Sequence, residues 1–317
     1  MSRRVFITGI TGFAGTHLVK ELRLRGVEAS GTAYPEKPGE WNASPEERVF
    51  VQDIIDDKGL SALIAQARPD WVFHLAAVSN VRHSWEKRRE TLETNLTGTL
   101  NLFEAVRKHV PEARVLYVSS SDVYGILSPL SKALSEEDAV EPVNPYAFTK
   151  IGGEILSRFY ARIEGLDLVI ARPFPHTGPG QSPDFVCSDW ASQIAQIEKR
   201  RKEPVIKVGN LDAERDFLDV RDVVKAYILL MEKGERGEIY NICSGNAVSL
   251  KEVLDILLSF SGESIGIEVD PGKMRKIDIP FLAGDNRKIR RRTSWQPNIS
   301  ISRSLEDLIQ YWRNCLS

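Results

Sequence analysis

Short apolar runs alternate with amphipathic stretches along the first half of the chain. Residues 5–7 form a run short enough for a buried strand, and after it Leu18, Val19 and Leu22 repeat at helical spacing. The same patterns predict strands over 27–34, 48–53, 70–77 and 115–118, and helices over 58–67 and 85–109. Alternating strands and helices predict an α/β fold built on a doubly wound parallel sheet of the Rossmann type.

The second half of the chain also mixes strands and helices, which predicts a smaller C-terminal α/β domain. Asp222 is expected to cap a helix over 223–228. Ser249 and Glu252 have the spacing of a capping box at the start of another helix. We expect residues 1–172, with 215–244 returning to them, to form the sheet domain, and residues 173–214 and 245–317 to form the smaller domain.

Three glycines follow the first predicted strand and open the first predicted helix. Gly9 would permit a tight turn, Gly12 would let the backbone approach a pyrophosphate, and Gly15 would let the helix pack close to the strand. The helix N-terminus would offer N–H groups and the positive end of its dipole to phosphate. Because strand, glycine turn and helix come in this order, the segment predicts dinucleotide binding.

The C-terminal end of the second predicted strand, over 27–34, is where such folds choose between NAD and NADP. An acid at this place would bind the ribose hydroxyls, but Glu28 comes too early and Lys37 is the nearest basic residue downstream. The missing acid favours NADP(H) mildly and leaves NAD(H) open.

Two further strand ends carry candidate cofactor contacts. Asp53 could accept a hydrogen bond from the adenine amino group, or it could cap the helix that starts near Asp56. Ala76 and Ala77 are small enough for a cofactor to pass close to the backbone. His74 lies inside an apolar strand and is interpreted as a core histidine with satisfied hydrogen bonds.

Side chains suited to acid–base chemistry follow the fifth predicted strand. Residues 119–121 are all serine, and Asp122 comes next. Tyr146 and Lys150 are four residues apart, so both lie on one face of a helix. A cation in this place can lower the pKa of the tyrosine towards the working range of a general acid or base. Because ligands of such folds bind beyond the carboxyl ends of the strands, these residues predict a catalytic site.

Composition excludes several other classes of function. The 42 Lys and Arg nearly balance the 44 Asp and Glu, so no strong field points to nucleic acid or a membrane surface. Cys187, Cys243 and Cys315 are far apart and have no metal-binding spacing, which is typical of free thiols in a reducing cytosol. With neither a signal peptide nor a transmembrane run in the pattern, we expect a cytoplasmic globular protein without a metal site.

With the glycine turn, the serine strand and the Tyr146–Lys150 pair, the chain resembles the extended short-chain dehydrogenase/reductase superfamily over nearly its whole length. The resemblance implies that Ser120 hydrogen-bonds the reacting sugar oxygen and that Tyr146 is the acid or base. It also implies that Lys150 holds the nicotinamide ribose and tunes Tyr146. The candidate cofactor-binding residues are Gly9, Thr11, Gly12, Phe13, Ala14, Gly15, Thr32, Asp53, Ile54, Leu75, Ala76, Ala77, Tyr146, Lys150 and Pro173.

Two segments of the second half narrow the resemblance. Residues 172–181 resemble the substrate loop of nucleotide-sugar enzymes, with Pro175 where the family has an Asn that binds substrate. Proline offers neither a side-chain amide nor an N–H group. Residues 209–217 resemble a stretch shared by GDP-mannose 4,6-dehydratases and GDP-6-deoxy-4-keto-mannose reductases. In those relatives the arginine matching Arg215 contacts the diphosphate, and the one matching Arg275 closes over the nucleotide. The candidate substrate-binding residues are Ser79, Ser121, Pro175, Arg215 and Arg275.

Asp122 separates the reactions that the resemblance allows. A 4,6-dehydratase needs an extra carboxylate, in the family a Glu, and Asp122 is one methylene shorter. Reduction of the 4-keto group of a GDP-4-keto-6-deoxy-hexose, which forms GDP-rhamnose, needs only Ser120, Tyr146 and Lys150 and is the favoured hypothesis. A GDP-mannose 4,6-dehydratase, a nucleotide-sugar 4-epimerase and a non-catalytic NADP(H)-binding sensor are the alternatives. The resemblance also implies a homodimer that pairs the helix after Trp85 with the helix carrying Tyr146.

Overall fold

The computed structural model describes residues 3–34, 48–127, 132–274 and 276–316. The strands are β1 (Val5–Thr8), β2 (Ala29–Ala33), β3 (Arg48–Val51), β4 (Trp71–His74), β5 (Arg114–Val118), β6 (Asp167–Pro173), β7 (His176–Thr177), β8 (Val205–Val208), β9 (Glu214–Arg215), β10 (Leu218–Asp219), β11 (Ile239–Ile242), β12 (Val248–Ser249), β13 (Gly266–Val269) and β14 (Phe281–Leu282). The α-helices are α1 (Phe13–Leu24), α2 (Asp57–Ala67), α3 (Val81–Glu86), α4 (Arg88–Leu92), α5 (Gly98–His109), α6 (Pro145–Arg162), α7 (Val186–Glu198), α8 (Val220–Lys233), α9 (Leu250–Ser259), α10 (Arg287–Thr293) and α11 (Ile301–Cys315). A π-helical turn covers Glu93–Thr97, and 3₁₀ turns cover Ser121–Leu127 and Pro271–Lys273.

Seven parallel strands form one sheet in the order β11-β6-β5-β4-β1-β2-β3. β1 lies inside the sheet, where Ile7 stands opposite Gly31 of β2 on one side and Phe73 of β4 on the other. Every position of β1 and β4 is buried, because crossover helices cover both faces of the sheet. The predicted Rossmann-type α/β fold is confirmed.

Each face of the sheet has its own hydrophobic core. Successive residues of β4 point to opposite faces, so that Val72 packs in one core and Phe73 in the other. α1 and α8 pack together on the Phe73 side, with Leu18 and Tyr227 buried between helix and sheet. α2, α5 and α6 contribute to the Val72 side, where Phe103 is fully buried. This arrangement holds the carboxyl ends of the strands in a fixed order.

The remaining strands form small sheets of two or three strands, separate from the large sheet. β9 pairs with β12 and β14, and β8 pairs with β13. α7, α9 and α11 pack on one another around a third core that includes Trp190, Leu254 and Leu308. α10 packs instead on α8 and β11, with Ile289 and Trp295 in the core of the large sheet. The domain boundaries predicted from the sequence place Ile289 and Trp295 in the smaller domain. These boundaries stay a prediction.

The helix predicted over 85–109 is interrupted in the structure. α3 ends at Glu86, the backbone of the next residue, Lys87, leaves the helical region (φ −120°, ψ 56°), and α4 starts at Arg88. The π-helical turn Glu93–Thr97 then joins α4 to α5 and inserts an extra residue into the helical repeat. The apolar residues of the predicted helix therefore do not share one core: Leu92 and Leu100 are exposed, at 37% and 40%, whereas Phe103 is fully buried.

Asp222 does not cap α8 as predicted. The cap is Asp219, whose carboxylate accepts a hydrogen bond from the N–H of Arg221. Asp222 lies in the first helical turn, and its carboxylate accepts from the N–H groups of Asn298 and Ile299, at 2.7 and 2.8 Å. Asp222 therefore binds the backbone of a loop that is distant in the sequence and does not act as the helix cap. The predicted cap of α9 is confirmed, since Ser249 accepts from the N–H of Glu252.

Across the described residues, no helix is both long and apolar enough to span a membrane. The same residues contain no group of three or more His, Cys, Asp or Glu that could hold a metal ion. The three cysteines are free thiols, of which Cys187 and Cys243 are buried and Cys315 is exposed.

Candidate active site

One edge of the large sheet gathers most of the predicted site residues. Because neighbouring strands are parallel, their carboxyl ends meet at the same edge. The residues within two positions of the ends of five of these strands are Thr32, Gly9, Ala76, Ser120 and Pro173. Thr11, Leu75 and Ala77 are half-buried beside them. In folds of this kind a dinucleotide binds at this edge of the sheet.

The glycine turn at this edge leaves no room for side chains. Gly9 has a φ of +74°, and a Cβ there would lie 3.0 Å from the backbone nitrogen of Ala76. A Cβ on Gly15 would lie 2.4 Å from the carbonyl oxygen of Gly9, so only glycine lets α1 approach the turn this closely. The N–H groups of Gly9 and Ile10 both donate to the carbonyl oxygen of Thr32, at 2.9 and 3.0 Å.

The N-terminus of α1 fits a pyrophosphate. Gly12, the residue before the helix, has no side chain that could cap it, and its backbone is extended. The first intrahelical hydrogen bond runs from the N–H of Thr16 to the carbonyl oxygen of Gly12. The N–H groups of Phe13, Ala14 and Gly15 therefore point along the helix axis towards the sheet edge. With the turn before them, they form a cradle suited to the phosphates of a dinucleotide.

Two histidines tie this cradle to the loop that follows β6. The ring of His176 stacks on Phe13 at a centroid distance of 6.0 Å, and the ring of His17 meets Phe13 edge-on. A hydrogen bond of 2.8 Å joins Nε2 of His17 to the carbonyl oxygen of Pro179. Burial lowers the pKa of both histidines, which favours their neutral forms. The glycine helix and the predicted substrate loop are thus in direct contact.

Asp53 and Ile54 follow β3 at the far side of the cradle. The carboxylate of Asp53 accepts from the N–H of Ile55 at 3.0 Å, and the cap of α2 is Asp56. Asp53 therefore does not cap α2, and adenine binding by Asp53 stays a prediction. The side chain of Ile54 is buried against Gly98, where a Cβ would lie 2.5 Å from it. Its side chain is thus closed off from the sheet edge, and a cofactor contact of Ile54 stays a prediction.

Ser120, Tyr146 and Lys150 come together beside β5. Asn144 caps α6 by accepting from the N–H of Ala147 at 2.8 Å, so the helix starts immediately before Tyr146. Lys150 lies one turn further on, and its Nζ donates to the carbonyl oxygen of Val118 at 2.9 Å. The hydroxyl of Ser120 lies close enough to that of Tyr146 to affect its pKa. The cap and the strand end thus place an acid–base side chain, a hydroxyl and an ammonium around one point.

The pKa of Tyr146 is raised in the structure, whereas the sequence-based expectation was a lowered pKa. Burial is the main cause, and the negative charge of Asp122 adds to it, while the neighbouring hydroxyl of Ser120 works in the opposite direction. Burial also lowers the pKa of Lys150 to about 8, against the opposing charge of Glu154. Tyr146 is therefore protonated at neutral pH, which is the state a proton donor needs.

The predicted substrate-binding residues are more dispersed. Arg215, in β9, is buried and forms an ion pair with Asp278 at 2.9 Å. Pro175 follows β6, and its carbonyl oxygen accepts from the N–H of Leu218. Ser121 is buried next to Ser120, and Ser79 is exposed after β4. Arg275 lies outside the described residues, as does Lys37.

The chain matches the family model of GDP-mannose 4,6 dehydratase over residues 6–308. It belongs to this family of extended short-chain dehydrogenase/reductases. It is similar to the GDP-6-deoxy-D-mannose reductase of Pseudomonas aeruginosa, with 34% identity over 314 residues that cover 99% of this chain and 98% of the relative.

Two solved structures show how closely the fold of this dehydrogenase/reductase follows that of its relatives. RMD from Pseudomonas aeruginosa, complexed with NADPH, has a TM-score of 0.86 at 32% identity and covers 99% of this chain and 100% of its own. The UDP-glucose 4-epimerase of Thermus thermophilus, complexed with NAD, has a TM-score of 0.89 at 26% identity and covers 98% of this chain and 99% of its own. The fold is therefore shared by members of the superfamily with different reactions.

A buried ion pair supports the site of this dehydrogenase/reductase and was not predicted. Arg172 in β6 binds both carboxylate oxygens of Glu154, at 2.7 and 2.6 Å, and Glu154 also accepts from the hydroxyl of Ser119 at 2.5 Å. Glu154 lies one helical turn after Lys150, and Ser119 precedes Ser120, so the pair connects both catalytic candidates. The signal in the sequence is a charged residue inside the apolar run of β6, since such a charge is buried only with a partner.

Proposed function

We propose that the protein reduces the 4-keto group of a GDP-4-keto-6-deoxy-hexose to form GDP-rhamnose. The observation that carries the proposal is the grouping of Ser120, Lys150 and a protonated Tyr146 at the carboxyl edge of the sheet. The similarity to a GDP-6-deoxy-D-mannose reductase over the whole chain supports the choice of substrate.

Each of the three side chains has a defined task in this reaction. Tyr146, which is protonated at neutral pH, donates its proton to the oxygen at C4. Ser120 orients the same oxygen, since its hydroxyl is a neighbour of the Tyr146 hydroxyl. Lys150, fixed by the carbonyl of Val118, holds the ribose of the cofactor. A bound nicotinamide cofactor supplies the hydride.

The protein uses a nicotinamide dinucleotide, and we propose NADP(H) before NAD(H). The cradle of Gly9, Gly12 and the first turn of α1 would hold the pyrophosphate in either case. β2 ends without the acid that binds the ribose hydroxyls of NAD. The relatives leave both choices open, because one was solved with NADPH and the other with NAD.

Asp122 favours reduction over dehydration. Its backbone N–H donates to the hydroxyl of Ser120 at 3.1 Å, so the residue is tied to the site. Its carboxylate is one methylene shorter than the Glu expected of a dehydratase, and a base displaced by about 1 Å loses on the order of 10²-fold in rate. A dehydratase and a 4-epimerase are the rival reactions within the family.

Oxidation of NADPH and NADH with GDP-4-keto-6-deoxy-mannose, followed by absorbance, tests the proposal. A parallel reaction contains GDP-mannose and no added reductant. Oxidation that depends on the keto sugar supports the reductase and ranks the two cofactors. A keto product from GDP-mannose would identify a dehydratase, and a C4 epimer without net oxidation would identify an epimerase. Cofactor binding without turnover of any of these sugars would identify a non-catalytic sensor.

The lowered pKa of Lys150 predicts a pH dependence of cofactor binding. Below pH about 8 the ammonium is charged and can hold the ribose hydroxyls, whereas above this pH it loses its proton and its charge. The affinity for NADPH, measured by fluorescence titration on both sides of this pH, should therefore fall on the alkaline side of about 8. Lys150→Met should bind more weakly and without this alkaline decline. An unchanged decline in the variant would contradict the assignment.

We also propose that two copies of the chain associate through the outer face of α6. Phe148, Ile155 and Phe159 are spaced along one side of the helix and are exposed, Ile155 at 65%. Gly152, on the same side, faces Leu96 of the π-helical turn, so the stripe continues onto the neighbouring helices. A contiguous apolar patch of this kind is typical of a protein interface. A second copy fits it, because a two-fold axis would pair the stripe with itself.

Ile155→Glu is expected to convert the dimer to a monomer. A charge at the centre of an apolar isologous interface is buried twice, once in each copy. Size-exclusion chromatography with light scattering measures the change in mass. Ile267→Glu is the matched control, since Ile267 is exposed at 47% on β13 and should leave the mass unchanged. A wild-type protein that is monomeric at micromolar concentration would refute the proposed dimer.

A further inference from the structure

A chain of buried hydrogen bonds starts beneath the glycine turn. The N–H of Ala76 donates to the hydroxyl of Thr8 at 3.2 Å, and this hydroxyl lies 2.7 Å from Nδ1 of His74. On the other side of the ring, Nε2 lies 2.8 Å from the hydroxyl of Thr99. That hydroxyl donates to the carbonyl oxygen of Asn95 at 2.6 Å. The ends of β1 and β4 are thus joined to the π-helical turn through side chains.

The chain continues from Asn95 to the first turn of α6. The amide of Asn95 exchanges two hydrogen bonds with the backbone of Val78, at 2.8 and 3.1 Å. Its NH₂ group also donates to the hydroxyl of Thr149 at 2.9 Å, and Thr149 donates to the carbonyl oxygen of Tyr146 at 2.7 Å. The π-helical turn places Asn95 at this junction. The last link is therefore the backbone of the proposed acid itself.

The direction of the hydrogen bonds assigns the tautomer of His74. The proton of Thr99 is used on the carbonyl of Asn95, so Nε2 of His74 is the donor and Nδ1 accepts from Thr8. Burial, with a smaller effect of the charge of Lys150, lowers the pKa of His74 to about 3, so the ring is neutral. The side chains of the network are all at most 2% exposed. A buried network whose members all have partners is rigid and fixes the groups it connects.

We infer that Thr149 is a positioning residue for Tyr146, and that Asn95 and His74 hold Thr149 in place from the cofactor side of the sheet. The inference rests on the proposed role of Tyr146 as the proton donor. Without the hydroxyl of Thr149, the first turn of α6 loses its link to β1 and β4, and the hydroxyl of Tyr146 is no longer fixed relative to the cradle. Its misplacement lowers the rate of proton transfer more than it lowers substrate affinity.

Thr149→Val, Thr149→Ser and Ser157→Ala test this role. Valine keeps the shape of Thr149 and removes both hydrogen bonds, so we expect kcat to fall about 10- to 100-fold while KM for the keto sugar changes less than about threefold. Serine keeps the hydroxyl and should restore kcat to within about threefold of the wild type. Ser157 is a matched control, because it is buried in the same helix and donates to the carbonyl oxygen of Gly153 at 2.7 Å. Its replacement should leave kcat unchanged.

Three outcomes would overturn the inference: kcat of Thr149→Val within twofold of the wild type, a Ser157→Ala variant that loses as much, or no rescue by serine. Thermal melting of all three variants shows whether a loss follows general stability. If the wild type does not reduce the keto sugar, the reductase proposal fails by itself. The comparison is then made with dehydration of GDP-mannose or 4-epimerisation, whichever the wild type catalyses. The proposed role of Tyr146 is tested separately by replacing that residue.

Discussion

Tyr146→Phe is expected to lower kcat by about 10²- to 10⁴-fold, the range over which a positioned general acid accelerates a reaction. The substitution removes one hydroxyl from a buried ring and leaves the packing of α6 in place. It also takes away the hydroxyl next to that of Ser120, so two of the three groups around the reacting oxygen are affected. The affinity for NADPH should change little, because the cradle and Lys150 are retained.

Steady-state kinetics with the keto sugar and fluorescence titration with NADPH separate these two effects. Tyr160→Phe is the matched control, since it removes the same hydroxyl from the same helix, where Tyr160 contacts Glu104 far from the sheet edge. Its kcat should equal that of the wild type. A Tyr146→Phe variant with kcat within threefold of the wild type would show that another group delivers the proton.

The part of the site that could be predicted from the sequence consists of local patterns. Gly9, Gly12 and Gly15 follow a strand and precede a helix, and Tyr146 and Lys150 are separated by one helical turn. Such patterns place side chains within one element or at the end of one strand. A parallel sheet then brings the strand ends together without further information, which is why these residues lie at one edge in the structure.

What could not be predicted depends on contacts between distant elements. Asn95 and Thr149 are 54 positions apart, and they meet only because the π-helical turn packs on α6. The pKa of Tyr146 is a similar case. The spacing to Lys150 predicts a lowered pKa, but the structure adds burial and the charge of Asp122, which together raise it. The local spacing of Tyr146 and Lys150 determines neither how deeply Tyr146 is buried nor where Asp122 lies after β5.

Arg172→Met is expected to lower the free energy of unfolding by about 3–5 kcal/mol, because it leaves the carboxylate of Glu154 buried without its cation. The side chains of Arg172 and Glu154 are only 4% and 2% exposed, so water cannot replace the lost partner. The guanidinium also donates to the hydroxyl of Tyr124 at 3.0 Å. Urea denaturation followed by tryptophan fluorescence measures the loss, provided that the slope with urea is unchanged.

Lys251→Met is the control for the loss of an ion pair at the surface. Lys251 and Asp255 are 2.7 Å apart on α9, with 64% and 53% of their side chains exposed. Exposed pairs of this kind contribute about 0–1 kcal/mol, since both charges are well solvated without each other. The two variants remove a cation at similar distances from a carboxylate. A loss of the same size in both would mean that burial does not strengthen the Arg172–Glu154 pair.

The double variant Arg172→Met/Glu154→Met decides what the pair does for the fold. If the cost of each single variant is that of an unpaired buried charge, removing both charges should cost only about 1–3 kcal/mol, mainly for the hydroxyl of Ser119 that loses its acceptor. The double variant would then be more stable than either single one. Costs that add would instead mean that each side chain stabilises the fold through separate contacts. A stable double variant with a lowered kcat would assign the pair to the position of Ser120 and Lys150 rather than to stability.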